Sequence, residues 1–312
     1  MEWTSFLPLL AFGLDLALGD PHGWPHPVRW IGWGARRLEG TARLLTMNSP
    51  SRTAGILASL LLLFLTAIAY GMATALPLLG WLAALYLAYA GLALGCLLRE
   101  GRNVARLLDQ GQLEQARTAL SHLVSRDTTE LDENACRRTL AETLSENLND
   151  GFTAPFFWLC LLGPLGLWLY KAVSTLDSMW GYRTEEYEHL GWFAARTDDI
   201  LAWVPARITF GAMLLCGMLQ GLDWRAALRH APLDARKMES PNAGWPMACA
   251  AWLLAGSMGG ATVYFGALKL KPVLGPEGRV WSSAMLSVLM RLMFWTAVLV
   301  ALVGQGLALA LY

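Results

Sequence analysis

Long apolar runs are the feature of this sequence that most limits what it can fold into. Thr53–Met72, Leu76–Leu98 and Met285–Leu311 each reach the ~20 residues that an α-helix needs to cross a bilayer. Of the 312 residues, 55% are hydrophobic and 15% are charged, whereas about 25% charged is usual for a soluble domain. The sequence therefore predicts an all-α, polytopic integral membrane protein.

Charged residues concentrate in one part of the chain. Of the 48 charged residues, 17 lie between Arg99 and Asp150. Two short amphipathic helices are predicted to meet here at Asp109–Gly111, and a third to run from about Leu131 to Leu148. We therefore predict one membrane-embedded domain over residues 1–312, with a polar helical insertion at residues 99–151.

The N-terminal region predicts an anchor and an orientation. Phe6–Leu18 lacks the basic flank and cleavage site of a signal peptide, and predicts a retained span. The stretch VRWIGWGARRLEGTARLL predicts an amphipathic helix in the headgroup region. Five arginines between Gly19 and Arg52 predict a cytoplasmic loop. We expect a protein of the cell (inner) membrane whose active site faces the cytoplasm. Its zero net charge gives no indication of nucleic-acid binding.

Several apolar runs are interrupted. FTAPFFWLCLLGPLGLWLY contains two prolines and two glycines, which predict a broken or re-entrant helix. Ile208–Leu222 is short, and Met247–Leu268 is rich in small residues, as in closely packed membrane helices. If every run crosses the membrane, the polar loops after Tyr170 and Leu222 face opposite sides. The sequence leaves open whether one run is re-entrant or these residues line a cavity in the membrane.

An acidic stripe precedes the most interrupted run. In ETLSENLNDGFTAPFF, Glu142, Glu146 and Asp150 recur every four residues, opposite a stripe of leucines. Like charges at this spacing repel by roughly 0.2–0.5 kcal/mol per pair. The last two would also lie near a helix C-terminus, where the helix dipole favours cations. The stripe is either the solvated face of an amphipathic helix or a set of oxygen ligands for Mg²⁺ shared with phosphates.

Three other polar stretches stand out. In STLDSMWGYRTEEYEHLGWFAARTDDILAWVPAR, Thr197 followed by two acids predicts a helix N-cap, while the arginines could bind phosphate or carboxylate. SPNAGWP predicts a loop that precedes a span. GDPHGWPHP contains His22 and His26, for which a structural role is favoured over a metal site.

Together these stretches resemble a known family. LGDPHGWPHPVRWIG, LVSRDTTEL, AETLSENLNDGFTAPFFW, STLDSMWGYR, FAARTDDILAWVPARIT and SPNAGWPMACA occur in a fixed order between about Asp15 and Gly275. They resemble the adenosylcobinamide-phosphate synthase family of cobalamin biosynthesis, also called CbiB or CobD. There is no GxxxxGK[ST] loop, so any nucleotide is bound without a Walker motif.

The resemblance implies an ATP-dependent amide ligase. It would join a propionate carboxyl of the corrinoid adenosylcobyric acid to a phosphorylated amino alcohol, aminopropanol phosphate, with Mg²⁺ as cofactor and ATP as co-substrate. Membrane lipid and other late cobalamin-pathway enzymes would be its further partners. The matching positions would supply catalytic groups, substrate ligands and metal ligands. The catalytic set is Glu142, Glu146 and Asp177; the substrate set is Arg126, Asn147, Arg183, Arg196, Arg207 and Asn242; the metal set is Glu146, Asp150, Asp198 and Asp199.

Other functions remain open at this stage. A transporter would also place acids beside broken helices, but it predicts an internal repeat, which is absent from the sequence. A non-catalytic membrane regulator would need the fold without the full set of acids and arginines, whereas a corrinoid-binding scaffold would not exclude catalysis. The chain departs from the family pattern at Ser125, Ser174 and Ala202-Trp203, which could shift the choice of amine substrate.

Overall fold

The computed structural model describes residues 3–21, 23–46, 51–75, 77, 79–182, 184–264 and 267–311. The chain divides into two compact units, each built from separate stretches of sequence. The first unit comprises Met1–Ala93, Ala154–Ala202 and Ala301–Tyr312. The second comprises Leu94–Thr153 and Trp203–Val300, so it contains the segment predicted as a polar insertion.

Helices dominate the described residues. A short 3₁₀ turn, Trp3–Phe6, precedes the first α-helix, and a π-helical segment, Asn149–Thr153, follows the seventh. In chain order the elements are α1 (Leu7–Leu18), α2 (Pro27–Leu45), α3 (Arg52–Thr74), α4 (Gly80–Ala90), α5 (Leu94–Asp109), α6 (Leu113–Ser121), α7 (Glu133–Leu148), α8 (Ala154–Trp180), α9 (Trp192–Leu201), α10 (Trp203–Leu219), α11 (Trp224–Ala235), α12 (Gly244–Leu254), β1 (Met258–Tyr264), β2 (Ala267–Leu274) and α13 (Ser283–Leu311).

Four helical stretches among the described residues are long and apolar enough to cross a membrane. They are α3, α4 with α5, the stretch Glu133–Trp180, and α13. The pair α9 and α10, bent by 42°, would make a fifth. These stretches confirm the predicted class of polytopic helical membrane protein.

The predicted break in the apolar run after Thr153 is confirmed. Within α8, Gly163 takes φ 68° and ψ −168°, which interrupts the helix immediately before Pro164. Proline has no N–H to donate and its ring clashes with the preceding turn, so a straight helix is excluded here. The predicted junction between α5 and α6 is also confirmed, with Gly111 at φ 70°.

In the first unit, α2 has the predicted amphipathic pattern. Ile31, Ala35 and Ala42 are buried, while Trp30 and Trp33 are exposed. The His26 imidazole caps the helix, because its Nδ1 accepts a hydrogen bond from the Val28 N–H at 3.3 Å. The favoured structural role of His26 fits this contact, whereas His22 lies outside the described residues.

Two predicted spans are wrong. The run Met247–Leu268 is not one helix, because α12 ends at Leu254 and the antiparallel β1–β2 hairpin follows. Two of the small residues that suggested helix packing, Gly259 and Gly260, instead have a non-helical backbone with φ 85°. At the N-terminus, α1 has 12 residues, a length of about 18 Å that is too short to cross a ~30 Å core as a single helix.

The N-cap predicted at Thr197 is also wrong. Helix α9 begins at Trp192, so Thr197 lies inside it, and its hydroxyl donates to the Phe193 carbonyl at 2.7 Å. Asp198 and Asp199 therefore lie in the second half of the helix rather than in its first turn. Their acidic charge gains nothing from the helix dipole at this position, which leaves the cap interpretation without support.

Candidate functional site

Helix α7 of the second unit carries the acidic stripe, and neither of its faces is fully solvated. Its leucine face is fully buried, at Leu140, Leu144 and Leu148. On the opposite face Glu142 is only 1% exposed, and Glu146 is partly buried. Because a carboxylate that is removed from water requires partners, the interpretation of this stripe as a solvated face is wrong.

Glu142 is held by two internal partners. The Arg126 guanidinium approaches its Oε2 at 2.6 Å, and the backbone N–H of Gly259 donates to its Oε1 at 2.7 Å. Arg126 also donates to the Thr139 hydroxyl at 3.2 Å. From the sequence, Glu142 was expected to be a catalytic residue and Arg126 a substrate ligand. Their geometry favours positioning instead, because the pair joins α7 to the segment before it and to β1.

The close approach of β1 to β2 beside Glu142 depends on glycine. Gly259 has φ 85°, and a Cβ at this position would lie 2.0 Å from the Pro272 carbonyl oxygen. The neighbouring Gly260 has the same φ but open space at its Cβ position. Substitutions at the two glycines can therefore distinguish the cost of backbone strain from the cost of a steric clash.

We expect Gly259→Ala to destabilise the protein by about 1–3 kcal/mol more than Gly260→Ala, because only the first adds a steric clash to the strain of positive φ. Unfolding titrations of both variants in detergent measure the difference. Equal effects would mean that β2 yields freely at Pro272 and that the hairpin does not fix the Glu142 contact.

The stripe continues into a π-helical segment rather than to a helix end. Asp150 lies in Asn149–Thr153, and the helical stretch extends from there to Trp180. The expected unfavourable interaction with a helix C-terminus is therefore absent. Asn149 is buried, donates to Asp150 Oδ1 at 2.7 Å and accepts from the Thr209 hydroxyl at 3.0 Å. Single π turns inside α-helices are frequent at functional sites.

Glu146 lies at the centre of the cluster. It interacts electrostatically with Asp150 and Glu142 and with two cations, Lys271 and Arg126. Lys271 lies on β2 opposite Gly260. Sequence reasoning missed it, although the alternation in LKLKPVL is the pattern of a strand with two lysines on one face. Asn147, by contrast, uses its amide N–H₂ within its own helix, donating to the carbonyl and the hydroxyl of Thr143.

The predicted substrate ligands Arg207 and Asn242 contact each other. Arg207 donates to the Asn242 Oδ1 at 2.8 Å and to the Pro241 carbonyl at 3.1 Å. Its guanidinium carbon lies 4.4 Å and 4.7 Å from the ring centroids of Trp203 and Trp245. Two cation–π contacts hold this side chain. Arg207 thereby anchors the SPNAGWP loop.

The first unit contains a second group of predicted site residues. Asp177 on α8 interacts electrostatically with Asp199 on α9. Arg196 approaches Asp199 at 3.7 Å and is mostly exposed. Asp198 is partly buried on the same helix, and Arg183 lies outside the described residues. The structure thus brings Asp177, Arg196 and Asp199 together.

The sequence did not predict one group of contacts in the first unit, which is centred on Glu39 and is called here the Glu39 hub. Glu39 on α2 accepts from Arg43 Nε at 3.0 Å, from the Tyr187 hydroxyl at 3.1 Å and from the Trp180 indole at 3.2 Å. Arg43 also pairs with Glu186 at 3.0 Å. This hub fixes the segment that joins α8 to α9. The only sequence signal for it was an acid among the arginines of α2.

A second missed anchor lies in the second unit. Asp234 is buried and accepts from Lys237 at 2.6 Å, from the Trp252 indole at 2.7 Å and from the Gly275 N–H at 2.9 Å. Burial alone would raise the pKa of Asp234, but the hydrogen bonds from Lys237, Gly275 and Trp252 outweigh it and lower the pKa below its ordinary value. Asp234 therefore ties α11 to α12 and to the end of β2.

This anchor predicts a pH dependence. A lowered folded-state pKa adds stability that is fully present above the ordinary Asp pKa of ~3.9 and is lost as the pH falls through the folded value. Asp234→Asn should cost about 1–3 kcal/mol at pH 7 and progressively less below pH 4. The control is Asp223→Asn, because Asp223 caps the same helix and asparagine caps equally well. A pH-independent cost at position 234 would contradict the assignment.

The described residues contain no group of three or more His, Cys, Asp or Glu side chains that could hold a metal ion. They do contain carboxylate pairs, Glu146 with Asp150 and Asp177 with Asp199. Mg²⁺ is usually bound through one or two carboxylates together with substrate phosphates rather than in an all-protein cage. The pairs fit a Mg²⁺ shared with a phosphate-bearing substrate, and they do not fit a closed structural metal site.

Comparison with known proteins identifies the family. A family model described as CobD/Cbib protein matches residues 8–293. The chain belongs to the CobD/CbiB family. A CobD/CbiB relative from Pelobacter propionicus, named cobalamin biosynthesis protein CobD, is 40% identical over 306 residues, 96% of this chain and 94% of the relative. No solved structure is similar enough to match.

Two further CobD/CbiB relatives carry the same name. The protein from Geobacter metallireducens is 42% identical over 281 residues, covering 88% of this chain and 87% of the relative. The protein from Klebsiella pneumoniae is 37% identical over 313 residues, covering 97% and 94%. The similarity covers the clusters in both units of the structure. The resemblance that the ordered motifs indicated is confirmed.

Proposed function

We propose that this chain acts in cobalamin biosynthesis as an adenosylcobinamide-phosphate synthase, an ATP-dependent amide ligase. The family match over residues 8–293 is the observation that carries the proposal. The acids and arginines implied by the resemblance are all present. Several of them lie in two clusters, one around Glu146 and one around Asp177.

The proposed reaction has two steps. First, a carboxylate oxygen of adenosylcobyric acid attacks the γ-phosphorus of ATP, giving an acyl phosphate and ADP. The amine nitrogen of aminopropanol phosphate then attacks the acyl carbon, phosphate leaves and the nitrogen gives up a proton. The product is the amide, and one ATP is converted to ADP and phosphate.

The chain's own side chains supply charge and proton transfer. In the second unit, Lys271 beside Glu146 would pair with phosphate oxygens. If the phosphate binds instead at the cluster of the first unit, the exposed Arg196 would take that role. Glu146 would take the amine proton, because it is partly buried but not committed to a close ion pair as Glu142 is. Mg²⁺ held by Glu146 with Asp150, or by Asp177 with Asp199, would neutralise developing phosphate charge.

We also propose an inner-membrane location with the reaction on the cytoplasmic side. The support is the excess of arginine between Gly19 and Arg52. In short loops, lysine and arginine accumulate on the cytoplasmic side of membrane proteins. ATP is used on the same side.

Reconstitution tests the proposal. Full-length protein in detergent is incubated with adenosylcobyric acid, aminopropanol phosphate, ATP and Mg²⁺, and the corrinoids are followed by mass spectrometry. We expect a product with the summed mass of both substrates less one water, absent without ATP or after chelation of Mg²⁺. Corrinoid binding without product over a series of phosphorylated amino alcohols would favour the scaffold instead. Absence of both product and binding would favour a regulator.

A further inference from the structure

An apolar groove lies on the surface of the first unit, and none of the acidic residues described above lines it. It has a volume of about 310 Å³ and is formed by α2, α3, Leu87 of α4 and Trp168 of α8. On α2 the lining includes Trp30, Trp33 and Gly34. The two tryptophans are 63% and 56% exposed, so the groove opens to the outside of the unit.

The polar groups along the groove are satisfied within the protein. The Thr66 hydroxyl donates to the Leu62 carbonyl at 2.8 Å, and the Trp168 indole donates to the Leu87 carbonyl at 2.9 Å. An occupant therefore meets an apolar wall in which these two side-chain donors are already engaged. Such a wall selects a hydrocarbon chain rather than a peptide, whose backbone groups would be left without partners.

The length of the groove matches one membrane leaflet. Its wall on α3 runs from Leu62 to Ala73, which is about 16 Å at 1.5 Å per residue. This is roughly half of the ~30 Å hydrocarbon core of a bilayer. Helix α3 is also the candidate span with the least buried surface, at 17% of its apolar window. The groove therefore lies on the helix with the greatest exposure to lipid.

Positive charge lies along helix α2 beside the groove. The guanidinium of Arg37 stacks on Trp33, 5.1 Å from the ring centroid. Arg29 and Arg36 are exposed on the same helix, and Glu39, the single acid of α2, is engaged by Arg43. Tryptophan and arginine at the edge of an apolar surface are typical of the membrane–water interface.

We propose that this groove is a binding site for one anionic phospholipid, with an acyl chain along α3 and the phosphate group against Arg37. The proposal is independent of the proposed enzymatic function. It assigns α2 a second role beyond carrying the Glu39 hub, namely selection of the lipid that covers α3.

Native mass spectrometry tests the site. Full-length protein is released from nanodiscs that contain equal amounts of phosphatidylglycerol and phosphatidylcholine, and the retained lipid is counted. We expect one retained phosphatidylglycerol per chain. Arg37→Gln should reduce the preference for phosphatidylglycerol about fivefold, because one arginine near an anionic surface contributes about that factor. Ala69→Trp, which fills the groove, should abolish retention of either lipid.

A matched control is available on α11. Arg225 also stacks on a tryptophan, with its guanidinium carbon 5.3 Å from the centroid of the Trp224 ring, but Trp224 does not line the groove, whereas Trp33 does. Arg225→Gln should leave retention and preference unchanged. Equal loss in Arg225→Gln and Arg37→Gln would overturn the site. So would a wild-type dimer that Ala69→Trp converts to a monomer, because a second copy would then be the occupant.

Discussion

Glu142→Gln is expected to lower the free energy of unfolding by about 3–5 kcal/mol, the usual cost of removing one partner from a buried ion pair. Glu142 is 1% exposed, and its partner Arg126 keeps its charge after the substitution. Glutamine retains an acceptor oxygen for the Gly259 N–H, so the loss reports the uncompensated guanidinium. Titration with denaturing detergent, followed by tryptophan fluorescence, measures the change.

Glu133→Gln is the matched control on the same helix. Glu133 pairs with Arg137 four residues later, but its side chain is 53% exposed. An exposed pair contributes only about 0–1 kcal/mol. Equal destabilisation by the two variants would mean that the Arg126–Glu142 pair is not shielded from water, and would contradict the positioning role.

A double substitution separates charge from packing. Arg126→Met with Glu142→Met removes both charges, so it should recover part of the stability lost in Glu142→Gln. The remaining deficit should be about 1–3 kcal/mol, because the buried Gly259 N–H loses its acceptor. Failure to recover would show that the pair contributes through geometry rather than by charge compensation.

The sequence predicted features whose causes are local. The kink at Gly163 requires the proline that follows it, and the turn at Gly111 requires positive φ, so both were visible as residue types. The amphipathic α2 was visible as a repeat of buried and exposed positions. In each case a few neighbouring residues determine the structure.

Features that depend on distant partners were not predicted. Gly259 lies 117 residues from Glu142 in the chain, and no sequence pattern near either residue predicts the contact. The β1–β2 hairpin was predicted as part of a span because glycine and alanine serve both helix packing and tight backbone approach. Lys271 was not predicted as a site residue because its position beside Glu146 depends on the hairpin, which was itself not predicted.

The candidate site was predicted at the level of position and less well at the level of role. The acids of the stripe lie close together, and Arg207 and Asn242, which the sequence predicted as separate substrate ligands, contact each other. Burial then distinguishes members of the stripe that look equivalent in sequence. Glu142 has internal partners at both oxygens, whereas Glu146 is partly buried between acids and cations. A helical period of four residues gives no information about that difference.

Glu146→Gln is expected to reduce product formation by about 10²–10⁴-fold, the usual contribution of a positioned acid or base. Folding should be preserved, because Glu146 lies beside two other carboxylates and its neutralisation relieves repulsion with Asp150 and Glu142. The measurements are the rate of corrinoid amide formation and the unfolding titration used for Glu142. Glu133→Gln, away from the cluster, should leave both unchanged.

The dependence on Mg²⁺ distinguishes the two roles proposed for Glu146. If it moves the amine proton, Glu146→Gln lowers the rate at every Mg²⁺ concentration and leaves the half-saturating concentration unchanged. If it binds Mg²⁺ with Asp150, the half-saturating concentration rises and added Mg²⁺ restores part of the rate, as it would in Asp150→Asn. Full activity of Glu146→Gln at limiting Mg²⁺ would exclude both roles and leave the carboxylates near Asp177 as the remaining candidates.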